Sequence, residues 1–570
     1  MLKTLDSFFP IRYTAFALSG VGMLLCLFTA IGFGVGGTLA LVFMVLFGVG
    51  VYDVLQTKRS VLRNYPVIGH LRYMLEFIRP EMRQYFLESD SEATPFSRSQ
   101  RSLVYQRAKG DPDKRPFGTQ LDVHAVGYEW INHSVAPSKL STHDFRVWVG
   151  GSSTSPNPGC NQPYALSIFN ISAMSFGALS ANAILALNSG AKQGGFAHDT
   201  GEGSISQHHR VHGGDLIWEV ASGYFGCRNS DGSFNAEKFS VNAREPQVKM
   251  IELKLSQGAK PGHGGLLPGA KVTIEIAEAR GVPVGVDCIS PASHSEFSTP
   301  IEMMQFIARL RALSGGKPTG FKLCIGHPWE WFAIVKAMLH TGITPDFIVV
   351  DGAEGGTGAA PLEFTDHVGV PLQEGLRLVH NTLRGAGLRD RIKLGCAGKV
   401  ISAFDIARLM ALGADWCNSA RGFMFALGCL QAQNCHTGHC PTGVTTQDPV
   451  RQKALVVGDK AQRVYNFHQQ TLHALKELVQ AAGLNHPSEI TADHIVRRGN
   501  DQKVQLLAQA ILTQMPDGAL LGNDLRGLSP IYALYWPQAS AASFGKVVGE
   551  RSQVVTMPLA AQVERINTVA

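Results

Sequence analysis

From residue 166 onward, short unbroken runs of apolar residues alternate with stretches of helical periodicity. Each run ends at a glycine or a polar residue, and the clearest runs are 166–174, 284–289, 320–325, 346–350, 391–395 and 416–419. Amphipathic stretches at 372–383 and 403–412 separate the last three. Strands without polar alternation are buried on both faces, which is typical of a parallel sheet covered by helices. The pattern predicts an α/β fold, a closed (β/α)8 TIM barrel over residues 166–447.

A doubly wound open sheet is the alternative architecture for such a repeat. Sheets of that kind usually carry GxGxxG between a strand and a helix, because glycines let the backbone approach a dinucleotide. No predicted strand of this chain is followed by that fingerprint. The barrel is therefore the favoured architecture.

The N-terminal segment has a different character, because no charged residue occurs between Tyr13 and Tyr52. About 20 apolar residues suffice for one helix to cross a bilayer, so this length indicates two spans, at 16–32 and 37–54. The glycine-rich residues 32–37 supply a turn between them. Basic residues at both ends of the segment place both ends on the cytoplasmic side of an inner membrane. These residues are Lys3, Arg12, Lys58, Arg59 and Arg63.

Residues 1–60 are thus predicted to form a transmembrane hairpin in the lipid bilayer, with the following domain facing the cytoplasm. A cleaved signal peptide would have a shorter apolar core and a cleavage site of small residues. A helical hairpin buried in a soluble protein is the other alternative.

The segments on either side of the barrel have weaker patterns. Residues 61–165 are interpreted as a solvated connecting arm, whose basic residues could also contact anionic lipid headgroups. Residues 448–570 are predicted to be a helical extension, with helices over 450–481 and 489–514 and a tail from residue 520. The apolar, aromatic run 530–537 of this tail is expected to pack on the body of the protein or on the membrane.

Charge and cysteine content argue against two classes of protein. The net charge of +6 is small for 570 residues, and no basic surface interleaved with aromatic residues is apparent, so nucleic-acid binding is not expected. The ten cysteines show no paired framework. Such usage is typical of thiols kept reduced in the cytoplasm rather than of a disulfide-stabilised secreted protein.

The ends of the predicted strands carry groups that bind ligands in barrel enzymes. Glycine-rich turns let backbone N–H groups converge on an anion, and the last two strands of such barrels commonly form a phosphate site. Three turns of this kind in succession favour a phosphate-bearing cofactor. The candidate cofactor-binding residues at the strand ends are Met174, Ser175, Asp351, Gly355, Gly356, Thr357, Gly395, Gly398, Ala420, Arg421 and Gly422.

Four further polar residues are candidates for chemistry. Lys322 interrupts the apolar run 320–325, and a buried ammonium group is costly unless an anion receives it; the alternative is a side chain that extends past the strand end. Lys254 and Gln257 precede a glycine-rich turn, where they could bind a dicarboxylate or ring carbonyls, although loop lysines often face solvent. Glu202 lies among glycines, where it could orient an amine, move a proton or only stabilise its own loop.

Three cysteines, Cys429, Cys435 and Cys440, share the loop GCLQAQNCHTGHCPTG after the last predicted strand. Three thiolates so close together, with glycine and proline between them, favour an iron–sulfur cluster. Three ligands rather than four indicate a 3Fe–4S cluster. A zinc site completed by His436 or His439, and buried thiols without a metal, remain as alternatives.

Taken together, these segments resemble the FMN-binding synthase domain of glutamate synthase over residues 170–447. The resemblance rests on AMSFG at 173–177, TGEG at 200–203, segment 257–265, GGTGA at 355–359 and the cysteine loop with CPTG at 440–443. It implies FMN in the barrel mouth with a 3Fe–4S cluster beside it. It also implies that Lys322 and Glu202 lie near flavin and substrate as catalytic residues, with Lys254, Gln257 and Lys322 in contact with the cofactor.

The chain departs from the large members of that family in several ways. The resemblance does not extend to their cysteine-initiated amidotransferase domain or to their β-helical C-terminal domain. His263 stands in KPGHGG where a glutamate is expected, and residues 325–328 differ as well. The chain is most similar to short, membrane-attached members, so the cofactors transfer with the resemblance and the substrate does not.

The resemblance implies a reaction in which 2-iminoglutarate, formed from 2-oxoglutarate and ammonia, is reduced to glutamate by hydride from reduced FMN. Electrons would enter through the cluster from a donor such as ferredoxin or a membrane carrier. One alternative is an FMN-dependent amine, N-alkyl-glutamate or hydroxy-acid oxidoreductase that exchanges electrons with a membrane carrier. Another is a non-catalytic electron-transfer subunit. A homo-oligomer is one of the assembly states that the sequence allows.

Overall fold

The computed structural model describes residues 10–91, 94–358, 360–500, 503–510, 514–522 and 524–547. The chain divides into two compact units, Met1–Glu92 and Ala93–Ala570. Several predicted features lie outside the described residues: Lys3, Ala359, residues 501–502 and 511–513 of the helix predicted at 489–514, and residues 523 and 548–570 of the predicted tail.

The first unit begins with two long apolar helices, Thr14–Phe33 and Gly37–Leu55. They pack against each other, with the rings of Phe16 and Phe47 stacked at 5.1 Å. Gly34 ends the first helix at a φ of 69°, in the left-handed region that favours glycine. Both helices are long and apolar enough to cross a membrane, and their bounds agree with the predicted spans to within two residues. The shorter helical segments of this unit are Ile11–Tyr13, Ser60–Asn64, Gly69–Met82 and Arg83–Leu87.

The second unit is built around eight parallel strands that close into a barrel. Each strand pairs with its neighbours in chain order, and the last strand pairs with the first. The strands are β1 (Phe169–Ile171), β2 (His198–Asp199), β3 (Leu216–Val220), β4 (Val248–Lys254), β5 (Thr319–Leu323), β6 (Phe347–Asp351), β7 (Lys393–Ala397) and β8 (Trp416–Ser419).

Helices connect successive strands and cover the outside of the barrel, as the parallel topology requires. Their buried faces supply much of the apolar core. They are Ala181–Gly194, Gln207–Arg210, Ala236–Ala243, Ile274–Arg280, Pro300–Leu313, Pro328–Thr341, Leu362–His367, Leu372–Gly385, Ala403–Ala411 and Arg421–Leu427.

The predicted TIM barrel is confirmed, and β5 to β8 lie within two residues of four predicted strands. The predicted strand 166–174 is two strands, Tyr164–Ser167, which pairs antiparallel with Arg146–Val149, and β1. The strand predicted at 284–289 is wrong as a barrel strand. Only Cys288–Ile289 is extended, and it pairs antiparallel with Leu266–Leu267 between β4 and β5. Val284 and Val286 are each 55% exposed, so this apolar run does not belong to the core.

Residues 61–165 are not a solvated arm throughout. Helix Arg98–Lys109 begins at a capping box formed by Ser97 and Gln100. It buries Val104 and Ala108 and contacts the long helix Val457–Ala481. The prediction is therefore wrong for the second half of the segment, because a short helix with mixed polarity can still be buried when a distant helix packs on it.

The C-terminal extension is only partly helical. The helix predicted at 450–481 is confirmed as Pro449–Gln452 and Val457–Ala481. The helix predicted at 489–514 is wrong: its described residues contain Pro487–Glu489, the strands Ile495–Arg498 and Val504–Leu506, and the short helix Leu507–Ala510. Ile495–Arg498 pairs with Glu129–Ile131 on one side and with Val504–Leu506 on the other, in a three-stranded antiparallel sheet. Local periodicity could not reveal a pairing partner so far away in the chain.

The apolar run 530–537 forms helix Pro530–Tyr535. Tyr532 stacks on Phe332 of helix Pro328–Thr341 at 5.3 Å, and Trp536 meets the same ring edge-on at 5.5 Å. Of the two surfaces expected for this run, it packs on the body of the protein.

Candidate functional site

The barrel interior holds one lysine among carboxylates. Lys322 on β5 donates to Glu219 on β3, and its Nζ lies 3.1 Å from Glu252 Oε1 on β4. All three residues are buried, with Lys322 only 4% exposed. The ammonium group is thus received by anions, and the alternative of a side chain extending into water is wrong.

Burial and the charges of neighbouring groups determine which members of this network are ionised. Burial by itself would lower the pKa of Lys322, but the four surrounding carboxylates outweigh burial and raise this pKa well above its usual value. Burial raises the pKa of Glu252 to about 7, against the opposing charge of Lys322 and with the support of Glu219. Burial, with the charge of Glu252, also raises the pKa of Asp199 well above its usual value. The network therefore keeps a permanent cation beneath the barrel mouth, next to a carboxyl group that exchanges its proton near neutral pH.

The same carboxylates lie close enough together for a metal ion, since oxygen atoms of Asp199, Glu219 and Glu252 are within 4.8 Å of one another. Lys322 already contacts Glu219 and Glu252. Because its ammonium group neutralises this cluster, the geometry gives no reason to place a metal ion here.

A second set of charges lies at the mouth, where β4 ends. Lys254 Nζ lies 2.9 Å from Glu202 Oε2 and 2.6 Å from Gln257 Oε1. These three residues, with Lys260 and His263, line one cavity. Three of the predicted site residues are thus brought together across two loops, and the cavity they line is strongly polar.

Glu202 is ionised at neutral pH. Burial would raise its pKa, but the positive charges of Lys254, Arg280 and Lys260 outweigh burial and hold the pKa at about 2. Lys260 is itself affected, since burial lowers its pKa. Glu202 is therefore a hydrogen-bond acceptor at neutral pH and has no proton to donate.

Arg280, Glu219 and Glu252 are site residues that sequence reasoning missed. Arg280 ends the short helix Ile274–Arg280, and its Nη2 donates to Phe176 O at 3.1 Å. An arginine in a short helix carries no sequence signal of this kind. Glu219 and Glu252 did carry one, since each is an acidic residue placed directly between apolar residues of a strand.

The two candidate cofactor-binding residues that follow the first barrel strand also lie at the barrel mouth. Met174 and Ser175 follow β1, and a methyl group placed on Gly201 would lie 2.6 Å from Ser175 N. The loops after β1 and β2 therefore pack backbone against backbone. This close approach explains the glycine at position 201, which lies at a φ of 65°.

The loop after β6 leaves space in front of Arg421. Gly356 is exposed, and a methyl group placed on it would lie 3.6 Å from Arg421 Nη2, an ordinary contact distance. Gly355 and Thr357 flank it, while Asp351 Oδ2 accepts the N–H of Gly258 at 3.0 Å. Packing does not require glycine at 356, so this open position beside a guanidinium suits an anionic group.

The other predicted phosphate-loop glycines are explained by packing. A methyl group on Gly395 would lie 2.4 Å from the Trp416 ring, and one on Gly422 would lie 2.5 Å from Ser419 Oγ. A methyl group on Gly398 would lie 2.9 Å from Leu372. Ala420 precedes helix Arg421–Leu427. Contact of these four residues with a cofactor stays a prediction.

The three predicted cluster ligands meet at one cavity. Cys429, Cys435 and Cys440 all line it. Among its described lining residues there is no fourth thiol and no imidazole or carboxylate. His436 and His439 are exposed and do not line the cavity, which argues against the zinc alternative. Three thiols on one cavity match the ligand set of a cluster held by three cysteines.

The surroundings of these thiols differ. Burial raises the pKa of Cys429. Burial would also raise that of Cys440, but hydrogen bonds from Thr442 and Thr445 outweigh it and lower this pKa to about 7. Arg421 Nη1 lies 3.9 Å from Cys435 Sγ. Arg421 therefore stands between the cysteine cavity and the open position at Gly356.

The positions where the chain departs from the large glutamate synthases also lie near the mouth. His263 lines the polar cavity, and its Nδ1 lies 2.6 Å from Gly264 O. His327 precedes helix Pro328–Thr341 after β5 and stacks on Trp329 at 4.1 Å. Both departures therefore lie at the strand-end face, where barrel enzymes carry their active sites.

Comparisons with known proteins place these features in a family. A family model described as a conserved region in glutamate synthase matches residues 158–485, more than half of the chain. The glutamate synthase large subunit-like protein YerD of Bacillus subtilis is 38% identical over 508 residues, which are 82% of this chain and 95% of that protein.

Other relatives match over a smaller part of the chain. The archaeal-type glutamate synthase [NADPH] of Thermotoga neapolitana is 36% identical over 57% of this chain and 61% of its own length. The archaeal glutamate synthase [NADPH] of Methanocaldococcus jannaschii is 36% identical over 59% of this chain and 64% of its own length. The alignments thus cover less than two thirds of each of these relatives.

Among solved structures, a flavocytochrome b2 double mutant with pyruvate bound covers 80% of this chain and 92% of its own. Its TM-score is 0.40 at 13% sequence identity, which is too low to bear on function. The sequence relatives decide the family. The chain belongs to the glutamate synthase family and is an oxidoreductase of that type.

Proposed function

We propose that this protein binds FMN and a 3Fe–4S cluster and reduces 2-iminoglutarate, formed from 2-oxoglutarate and ammonia, to glutamate. The observation that carries the proposal is the polar cavity at the end of β4, where Lys254 contacts both Glu202 and Gln257. Cationic groups around an ionised carboxylate suit a substrate with two carboxylates and one basic nitrogen.

FMN fits the mouth because the chain offers a place for its phosphate. Arg421 and the backbone around Gly355, Gly356 and Thr357 would hold the phosphate group, since Gly356 leaves space in front of the guanidinium. When bound there, FMN supplies the hydride chemistry of the reaction. Lys322 contributes a permanent positive charge beneath the mouth, which would stabilise negative charge on a reduced acceptor.

In the proposed reaction, Lys254 and Lys260 bind substrate carboxylates and keep the dicarboxylate in the cavity that they line. Glu202 accepts hydrogen bonds from the imine or amine nitrogen and orients it. Because its pKa is about 2, Glu202 does not act as the proton donor. The proton would come from water or from another group.

A cluster suits the cysteine cavity for two reasons. All three thiols line it, and the hydroxyl of Thr442 lies 3.5 Å from Cys440 Sγ, where it can stabilise a thiolate. The cavity also adjoins the β6 loop, since a methyl group on Gly358 would lie 3.2 Å from Cys435 Cβ. Electrons from a donor such as ferredoxin or a membrane carrier would enter through this cluster.

The two apolar helices support a membrane hairpin with the barrel on the cytoplasmic side. Both have the length and hydropathy of membrane spans, and the basic residues that follow the second span favour the cytoplasm. The hairpin is also the observation that favours a second candidate function, an amine, N-alkyl-glutamate or hydroxy-acid oxidoreductase that exchanges electrons with a membrane quinone.

Spectroscopy of anaerobically purified protein, followed by two assays, tests the proposal. A flavin absorption spectrum and the EPR signal of an oxidised 3Fe–4S cluster are expected, with glutamate formed from 2-oxoglutarate and ammonia when a reduced ferredoxin is supplied. Flavin and cluster with quinone reduction instead of glutamate formation would support the second candidate. Colourless protein after gentle purification would contradict both.

A further inference from the structure

An apolar stripe runs along the helical residues that follow the predicted membrane hairpin. Helix Gly69–Met82 continues into Arg83–Leu87, and we call these residues together the amphipathic segment. Large apolar side chains recur at three- and four-residue intervals, the spacing of one helix face. They are Leu71, Met74, Leu75, Ile78, Met82 and Tyr85.

This stripe is exposed. Leu71, Met74 and Leu75 are 50%, 52% and 53% exposed, and Phe86 beyond them is 75% exposed. Single exposed apolar residues are ordinary, but a contiguous apolar stripe on a helix is usually a binding surface, because covering it removes apolar area from water at about 25 cal/mol per Å².

Basic residues flank the stripe on one side, about a quarter of a turn away from it. Arg72 pairs with Glu76 at 2.9 Å, and the Arg59 guanidinium lies 4.8 Å from the centre of the Tyr73 ring. Between residues 58 and 83 the sequence has six lysines and arginines against two glutamates. Such a charge balance is attracted to anionic lipid headgroups, by about 1 kcal/mol per basic residue near the surface.

A buried carboxylate joins the segment to the end of the second apolar helix. Asp53 is fully buried, and its Oδ2 accepts the N–H of Val67 at 2.9 Å. His70 Nε2 lies 2.9 Å from Asp53 Oδ1. The segment therefore begins at the level where the second helix ends, which for a membrane span is the bilayer surface.

We propose that the amphipathic segment lies along the surface of an anionic bilayer, with the apolar stripe at the boundary between headgroups and acyl chains. The basic flank then reaches the phosphate layer. This inference rests on the membrane hairpin of the proposed function, and it adds a second, lateral lipid contact at the point where the chain leaves the membrane. The covering surface is thus lipid, rather than a second copy of the chain or another protein.

Tryptophan fluorescence tests the proposal in the full chain, because all seven tryptophans lie at or after Trp130. A tryptophan is placed in the stripe (Leu75→Trp), on the opposite side (Tyr73→Trp) or within the first apolar helix (Phe28→Trp). Each protein is reconstituted in nanodiscs of phosphatidylcholine alone or with phosphatidylglycerol, with and without bromine on the acyl chains. Quenching by bromine is measured as the increase over the wild-type protein.

Bromine is expected to quench Leu75→Trp at least about threefold more than Tyr73→Trp, and phosphatidylglycerol to increase that difference, since only the stripe enters the acyl region. Equally weak bromine quenching of Leu75→Trp and Tyr73→Trp would overturn the proposal. Protection of Leu75→Trp from bromine and also from aqueous iodide would overturn it too, because protein would then cover the stripe. Phe28→Trp tests the membrane hairpin separately from the lateral contact: if it is quenched and Leu75→Trp is not, the hairpin is supported and the lateral contact is contradicted. If Phe28→Trp is unquenched, the membrane hairpin itself fails.

Discussion

Lys254 Nζ lies 2.9 Å from Glu202 Oε2 and so joins the end of β4 to the loop after β2. The two residues are 52 positions apart in the chain, and only closure of the barrel brings them together. The pair explains why a carboxylate among glycines stays ionised, and why a lysine at a strand end does not simply face solvent. It is also the contact on which the proposed substrate site depends most directly.

Replacing Glu202 with glutamine (Glu202→Gln) should lower activity in the proposed reaction about 10- to 100-fold. The amide keeps the shape but loses the charge-assisted hydrogen bonds, which contribute about 1.5–3 kcal/mol each. Initial rates with 2-oxoglutarate and ammonia measure the effect. Glu275→Gln is the matched control, since Glu275 pairs with His208 at 3.1 Å on an exposed site, and its rate should stay within twofold of wild type. Equal rates for the two variants would contradict a role of Glu202 in the reaction.

The depressed pKa of Glu202 also makes a prediction about acid stability. Its folded-state pKa of about 2 lies below the ordinary 4.5, so between these values the unfolded chain binds more protons than the folded protein. The stability that this carboxylate contributes is therefore present above pH 4.5 and is lost as pH falls towards 2. Urea unfolding from pH 6 to 3 should show a steeper loss for wild type than for Glu202→Gln. Parallel curves would mean that the carboxylate is not stabilised by its lysine.

Removing the buried lysine (Lys322→Met) should destabilise the protein by about 3–5 kcal/mol, because Glu219 and Glu252 are left without their cation. Neutralising one of these carboxylates as well (Lys322→Met with Glu219→Gln) should recover part of the loss. The control is Lys249→Met on β4, whose partner Asp215 is 3.7 Å away and whose side chain is 34% exposed; a change of less than about 1 kcal/mol is expected there. Urea denaturation measures all three variants, and a Lys322→Met protein as stable as the control would contradict the network.

Replacing one of the three clustered thiols (Cys435→Ser) should abolish the 3Fe–4S cluster, since a cluster held by three thiolates has no spare ligand. Iron and sulfide analysis, together with EPR of the oxidised protein, gives the readout independently of turnover. Cys160→Ala is the control: Cys160 is buried beside Gly150, outside the cysteine loop, and its iron content should equal that of wild type. Iron loss in both variants would point to general instability instead.

Neutralising Arg421 (Arg421→Gln) should weaken FMN binding about tenfold or more, because a charged hydrogen bond to phosphate contributes about 1.5–3 kcal/mol. Titration of the FMN-free protein, followed by quenching of flavin fluorescence, measures this dissociation constant. Arg408→Gln is the matched control, since Arg408 on the helix after β7 pairs with Glu129 at 3.4 Å, and its affinity should change less than twofold. Unchanged FMN affinity in Arg421→Gln would contradict a phosphate site beside Gly356.

The sequence by itself determined the barrel, the apolar hairpin and the cysteine loop, because each is encoded in neighbouring residues. Apolar runs specify β5 to β8, forty uncharged positions specify two long helices, and the spacing of Cys429, Cys435 and Cys440 places three thiols in one loop. The same reasoning was wrong at 284–289 and 489–514, where strand pairing with Leu266–Leu267 and Glu129–Ile131 decides the structure. Periodicity carries no information about such partners.

Only the tertiary structure decided which charges meet. Glu219 and Glu252 surround Lys322 because β3, β4 and β5 are neighbours in a closed barrel, and Arg280 contributes its charge to Glu202 from a short helix between β4 and β5. Glycines in similar sequence contexts have different surroundings in the structure. A larger residue at 395 or 422 would clash with Trp416 or Ser419, whereas Gly356 leaves room beside Arg421. The physical reason is that burial and electrostatics depend on distances through space, and residues far apart in the chain set those distances.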